Sequence, residues 1–160
     1  MTHFDGSTTT KSTNLFALVA SLTAVIGCVL VLIGWWLEIA AFKSIVPGLA
    51  TMKPNTAVAF AFCGAGLWLK QKTGIANRAI ATACASVTFI IAFLTLLEYS
   101  TGIDLGIDQL LFSDAANTAT LHPGRMAVAT AIGFLLLGTA LLLFDIETQW
   151  RIYLTQGLAL

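Results

Sequence analysis

The chain of 160 residues is strongly apolar, with 58% hydrophobic and 10% charged residues, and its eight basic and eight acidic side chains give a net charge of zero. A soluble domain carries about 25% charged residues, so this composition indicates a protein of the lipid bilayer. The balanced charge argues against nucleic acid as a partner. Cys28, Cys63 and Cys84 lie in apolar stretches without metal-binding spacing, and we interpret them as packing residues.

Four apolar segments predict four transmembrane helices in an all-α integral membrane protein. A Ser/Thr-rich tail, residues 1–14, comes first and is too polar and short to fold alone. The predicted spans are residues 15–37, 54–69, 76–99 and 126–144. Residues 145–160 form a tail or the start of a further helix, because the ten apolar residues 151–160 are too few to cross a bilayer.

Two connections on the same side join these spans in pairs. The first, residues 39–51, is expected to be partly helical. The second, residues 100–124, is a long outer loop in which we expect a short surface helix capped by an aspartate.

An internal repeat relates the two halves of the membrane domain, residues 15–69 and 76–144. Its members recur at an offset of 74 positions (126 − 52): Met52, Thr56, Phe60 and Gly64, then Met126, Thr130, Phe134 and Gly138. A spacing of four residues places each set on one slanted helical ridge, where small and hydroxylated residues favour helix packing in lipid. A ligand groove on this face is the alternative. Because each half contains two spans, the repeats are parallel αα-hairpins, unlike the inverted repeats of many transporters.

Charged residues are confined to the tail, the loops and the span ends. A cytoplasmic N-terminus leaves five of the eight basic residues in the cytoplasm, in agreement with the positive-inside rule. The candidate contacts at the outer surface are Glu38, Glu98, Asp104, Asp108 and Arg125. For the glutamates, helix termination at the interface is favoured over pairing with Lys53 or Arg125, or over binding a cationic ligand. For the aspartates, solvated loop acids are favoured over metal chelation, because no EF-hand spacing is present.

Four strings carry a resemblance to a known family: PGLATMKPNTA at 47–57, LEY at 97–99, DLGIDQLLF at 104–112 and HPGRM at 122–126. They resemble the N-terminal multi-span membrane region of bacterial histidine kinases and diguanylate cyclases, which precedes PAS and catalytic domains. The resemblance implies a sensor-like module of the bacterial inner membrane. The chain departs from the family at residues 127–129, where Ala-Val-Ala replaces a polar Pro-Asn.

The sequence therefore favours a non-catalytic sensory or input module. It contains no kinase H-box, nucleotide-binding motif or GGDEF string, so we predict no enzyme activity, no catalytic residue, no metal and no cofactor. An accessory structural subunit of a larger membrane complex is the alternative, and a transporter or channel is a weaker third hypothesis. The expected partners are the lipid bilayer and other transmembrane helices, in a homo-oligomer or a larger complex.

Overall fold

The computed structural model describes the backbone of residues 6–44, 51–113 and 122–157, and the side chains of residues 15–44, 51–113 and 122–144. This part of the chain is helical and contains no strand, as the sequence predicts. The helices are α1 (Gly6–Trp36), α2 (Ala40–Lys43), α3 (Pro54–Lys70), α4 (Ile75–Thr101) and α5 (Val128–Gly157).

Two helical segments have the length and apolarity needed to cross a membrane. They are Leu15–Trp36 in α1 and Ile75–Thr101, which is the whole of α4. A third apolar segment, Val128–Phe144 in α5, is shorter. Membrane association is thereby indicated, whereas four crossings and a repeated architecture stay predictions.

Local sequence explains where several helices begin and end. Pro54 opens α3 because the first helical position needs no backbone N–H donor. Gly102 ends α4 in the left-handed conformation, with φ +71°, and its N–H donates to the Glu98 carbonyl at 2.9 Å. Glu38 has a φ of +56° immediately after α1. This agrees with the interpretation of Glu38 as a helix-terminating residue.

The helices at the two ends of the chain are longer than predicted. Helix α1 begins at Gly6, so the expectation of an unstructured polar tail is wrong for residues 6–14. Helix α5 continues to Gly157, so residues 145–157 do not form a separate element. Extending an existing helix requires no new nucleation, and no proline interrupts either segment.

The short helix predicted in the outer loop is absent from residues 102–113 and 122–127, which form turns and irregular structure. The Asp104 carboxylate instead accepts a hydrogen bond from the Gly106 N–H at 2.8 Å. Aspartate side chains compete with helix formation through such local bonds to the backbone. Residues 114–121 of this loop lie outside the described part of the chain.

Helix α3 lies at the centre of the helix packing and contacts α1, α4 and α5, while α4 also packs against α5. Among the described helices, α1 contacts only α2 and α3. The central apolar cluster consists of Ala59, Ala92, Met126, Ala131 and Phe134. The packing therefore brings the start of α3 next to the connection between α4 and α5.

Candidate functional site

A buried group of charged side chains lies where α4 ends and α5 begins. We name Glu98, Asp108 and Arg125 the loop cluster. The Arg125 Nε donates to Asp108 Oδ2 at 2.6 Å, and its Nη2 lies 3.3 Å from Glu98 Oε2. The exposed fractions are 0% for Glu98, 6% for Asp108 and 7% for Arg125, so solvent does little to screen these charges.

Backbone contacts fix the loop over this cluster. The Leu105 N–H donates to Glu98 Oε1 at 2.8 Å. Gly124 has a φ of +80°, and a Cβ atom there would lie 2.5 Å from the Asp108 carbonyl oxygen. Only glycine satisfies both conditions without moving the backbone. The Pro-Gly turn before Arg125 therefore allows the two sides of the loop to approach each other closely.

The same loop also reaches the first half of the chain. The Asn55 amide on α3 donates to the Ile107 carbonyl at 2.8 Å. The Phe112 ring lies 6.2 Å from the Trp35 ring at the end of α1. The loop between α4 and α5 thus contacts the ends of α1, α3 and α4 before it continues into α5.

Aromatic residues occupy corresponding places beside the two repeated methionines. The Tyr99 hydroxyl donates to the Met126 carbonyl at 3.0 Å, and the Arg125 guanidinium lies 5.2 Å from the Tyr99 ring. At the end of α1, the Trp35 indole donates to the Met52 carbonyl at 2.9 Å. The backbone at the start of each repeat motif is therefore held by an aromatic side chain from the preceding helix.

The charge state of Arg125 follows from its surroundings. Burial disfavours its charged form, but the hydrogen bond and charge of Asp108, together with the charge of Glu98, outweigh burial and raise the pKa of Arg125 above its ordinary value. Because the raised pKa keeps the guanidinium protonated, Arg125 stays charged and available to pair with the two carboxylates.

Three buried side-chain oxygens of the described residues make no hydrogen bond, namely Thr95 Oγ1, Glu98 Oε2 and Asp108 Oδ1, although Glu98 Oε2 is ion-paired with Arg125. Buried polar atoms normally have partners, so Thr95 Oγ1 and Asp108 Oδ1 are exceptions in this fold. A cavity of about 110 Å³ adjoins the cluster, and its lining includes Asp104, Asp108, His122 and Arg125. The region is polar and opens to the surface beside an exposed carboxylate, that of Asp104.

The glycines and phenylalanines of the predicted packing ridges contact neighbouring helices. Gly64 lies against α1, where an added Cβ would be 3.1 Å from Ala24 Cβ, and Gly138 lies equally close to Phe89 on α4. The rings of Phe60 and Phe134 contact each other edge to face, with centroids 4.8 Å apart. Thr56 and Thr130 are half-buried.

Met52 and Met126 do not belong to the helical ridges, because α3 begins at Pro54 and α5 at Val128. Helix α5 begins two residues after residue 126, the predicted start of the fourth span. The main-chain carbonyls of the two methionines accept the aromatic hydrogen bonds, and the Met126 side chain lies in the apolar cluster with an exposed fraction of 1%. The backbone at these two positions is therefore held in place just before α3 and α5 begin.

Three of the candidate outer-surface residues are not at the surface. The interpretation of Asp108 as a solvated loop acid is wrong, because the second connection folds back and buries its carboxylate against Arg125. Glu98, for which helix termination at the interface was favoured, lies one turn before the end of α4 but is buried, and its alternative pairing with Arg125 is present. Asp104 and Glu38 are exposed.

Sequence reasoning missed Asn55, Leu105 and Gly124 as parts of this site. The contacts of Asn55 and Leu105 involve backbone atoms, which any residue at the partner positions supplies, so no sequence pattern reveals them. Gly124 carries a usable signal, because a Pro-Gly pair directly before an arginine indicates a turn that requires positive φ.

Comparison with known proteins gives no relative for this chain: no family model, curated protein or solved structure matches it.

Proposed function

We propose that this chain is a non-catalytic sensory or input module of the bacterial inner membrane. The observation that carries the proposal is the attachment of one loop to the ends of α1, α3 and α4 through the loop cluster and the Asn55 and Phe112 contacts. A stimulus that displaces the loop would alter its contacts with these three helix ends and the start of α5, into which the loop continues. Such a shift requires a ligand with different affinities for the two arrangements.

The proposed topology has four crossings and a cytoplasmic N-terminus. Helix α3 has 17 residues and a length of about 26 Å at 1.5 Å per residue, so one of its ends lies in the interface. The Lys70–Lys72 turn is then cytoplasmic, and the loop cluster is on the outer face. The resemblance of the loop motifs to sensor membrane regions supports this arrangement.

Labelling with a membrane-impermeant maleimide tests the topology. Lys72 and Ser113 are both exposed and are placed on opposite sides of the membrane by the proposal. In a background without Cys28, Cys63 and Cys84, Ser113→Cys is expected to react in intact cells and Lys72→Cys only after permeabilisation. Reaction of both positions under the same condition contradicts four crossings with this orientation.

The alternative function is that of an accessory structural subunit in a larger membrane complex. Large apolar side chains are exposed along α1, among them Leu15, Phe16, Val19, Leu22 and Ile26, and this helix has few neighbours in the fold. Such a face suits contact with lipid or with other transmembrane helices, in a homo-oligomer or a larger assembly.

Mild-detergent purification of the tagged full chain from its native membrane distinguishes the two functions. Co-purification of a histidine kinase or a diguanylate cyclase supports the sensory role. A stable complex without any signalling enzyme supports the structural role. Recovery of the chain only as a free monomer contradicts the accessory-subunit function and leaves the sensory role without its partner.

A further inference from the structure

We propose that a groove between α1 and the end of α3 binds an anionic phospholipid, with the lipid phosphate at Lys72. We name it the lipid groove. It is lined by Leu15 and Leu18 of α1, by Trp68 of α3, and by Gln71 and Lys72 directly after α3. This site requires insertion of α1 and α3 in the bilayer, as in the proposed topology, but it does not rest on the sensory role.

The lining of the lipid groove matches an amphiphile. Leu15, Leu18 and Trp68 supply an apolar surface, whereas Gln71 and Lys72 lie beyond the last residue of α3 and supply polar groups. Tryptophan is common at the level of the lipid headgroups. A phospholipid has an apolar chain for the first surface and a phosphate for the second, while a free phosphate ion would leave the apolar surface unused.

The space is large enough for part of a lipid. The cavity measures about 250 Å³. This is several times the roughly 30 Å³ that a water molecule occupies in the liquid, so the groove exceeds the size of an ordinary hydration site. Leu15 and Trp68 are exposed, which leaves the groove accessible to a lipid from the side.

The polar groups of the groove are positioned to donate hydrogen bonds. The Lys72 ammonium lies 5.2 Å from the centre of the Trp68 ring. This contact uses the charge of the ammonium and no acceptor oxygen, so N–H donors of Lys72 remain for phosphate oxygens. The Gln71 side-chain amide donates to the Leu67 carbonyl at 3.2 Å, and its second N–H can donate to the lipid.

The distribution of charge selects an anionic headgroup over a zwitterionic one. Residues 67–80 contain Lys70, Lys72 and Arg78 and no acidic residue. The carboxylates among the described side chains all belong to the opposite end of the helices: Glu38, Glu98, Asp104 and Asp108. A negative headgroup at the lipid groove is therefore attracted, whereas the ammonium group of a zwitterionic lipid is repelled by the same basic residues.

Quenching of Trp68 fluorescence by brominated lipids tests the site in the full chain. With Trp35→Phe, Trp36→Phe and Trp150→Phe, Trp68 is the one remaining tryptophan. The vesicles contain phosphatidylcholine and a smaller share of phosphatidylglycerol in constant proportion, and equal amounts of one lipid or the other carry bromine on their acyl chains. We expect brominated phosphatidylglycerol to be enriched about fivefold at Trp68 relative to brominated phosphatidylcholine.

Lys72→Gln removes the ammonium from the lipid groove and keeps a side chain of similar shape. It is expected to abolish most of the preference for phosphatidylglycerol. Lys43→Gln is the matched control, because the Lys43 ammonium also lies over a tryptophan ring, that of Trp35, but at the other end of α1. It is expected to leave the preference unchanged.

Native mass spectrometry gives a second measurement that keeps all tryptophans, since Trp35→Phe removes a hydrogen bond to Met52. In detergent with equal amounts of the two lipids, the unsubstituted chain and Lys43→Gln should retain phosphatidylglycerol, and Lys72→Gln should not. Equal quenching by the two brominated lipids overturns the proposal, as does equal retention by the three chains.

A third condition separates a lipid from a free anion. Loss of the quenching preference on addition of excess inorganic phosphate, but not of the same ionic strength of sodium chloride, would assign the groove to a free anion and would also overturn the proposal. The maleimide labelling described above reports topology without reference to bound lipid. The topology can therefore hold while the lipid site fails.

Discussion

The end of α1 and the end of α4 hold the same kind of hydrogen bond in different electrostatic surroundings. Trp35 donates to the Met52 carbonyl in the first half, and Tyr99 donates to the Met126 carbonyl in the second. A cation lies over each ring: the Lys43 ammonium at 4.5 Å from Trp35, and the Arg125 guanidinium near Tyr99. In both halves, therefore, an aromatic side chain holds the backbone just before the next long helix, and only the type of aromatic residue differs.

The acids at these two ends have different environments. Glu38 is exposed and adopts a positive φ, whereas Glu98 is buried and paired with Arg125. The two glutamates are 60 positions apart (98 − 38), and the repeat offset is 74, so the second connection is 14 residues longer (74 − 60). The longer second connection can fold back over the end of α4 and bury Glu98 and Asp108.

Removing the Arg125 guanidinium is expected to have the largest effect. Arg125→Ala leaves the Glu98 and Asp108 carboxylates buried without their cation and should lower the free energy of unfolding by about 3–5 kcal/mol. Lys43→Ala, the matched change in the first half, removes only a cation over an aromatic ring and should cost about 0.5–1 kcal/mol. Unfolding in mixed micelles, followed by circular dichroism, measures both. Equal costs would show that the two ends are electrostatically alike.

Closing the space at Gly124 should disrupt the second connection by a smaller amount. Gly124→Ala combines an unfavourable positive φ with a Cβ atom 2.5 Å from the Asp108 carbonyl oxygen. We expect a loss of about 2–4 kcal/mol in the free energy of unfolding. Gly106→Ala is the control, because Gly106 has a φ of +72° but no atom within 4 Å of the added Cβ. It should cost about 1–2 kcal/mol in the same denaturation assay.

The shared aromatic contact should give the smallest effects, and they should be similar in the two halves. Tyr99→Phe removes the hydroxyl that donates to Met126, and it should cost about 0.5–1.5 kcal/mol in the free energy of unfolding. Trp35→Phe removes the corresponding donor to Met52 and should cost at least as much, because it also reduces buried aromatic area. A negligible cost for either variant, measured as for Arg125→Ala, would contradict the view that this contact fixes both helix approaches.

Much of the helical organisation was predictable because long apolar segments bounded by Pro, Gly and charged residues have few other structures available to them. The starts of α3 and α4 and the end of α4 lie within two residues of their predicted positions. Helix α1 already includes residues 6–14, which were taken as too polar and short to fold alone, and α5 runs on through residues 145–157, which were predicted as a tail or the start of a further helix. A helix that has already formed extends more easily than a new one begins, and the composition of a segment contains no information about this.

The candidate site was predictable only in part. Glu98, Asp108 and Arg125 were all identified as candidate residues because charges are scarce in this chain. Pairing of Glu98 with Arg125 was an open alternative, whereas the pairing of Asp108, the burial of all three residues and the partners Asn55 and Leu105 were beyond sequence reasoning. Each of these contacts joins residues separated by at least seven positions, through a loop without a periodic pattern.

By itself, the sequence determined an apolar all-α chain with a motif repeated at Met52 and Met126 and with charges kept away from the centres of its apolar segments. Periodicity and composition suffice for this, since they act locally along each helix. Only the tertiary structure decided that Glu98, Asp108 and Arg125 are enclosed while Glu38 is exposed. Burial of a charge depends on where a distant loop returns, and that position is set by contacts across the fold.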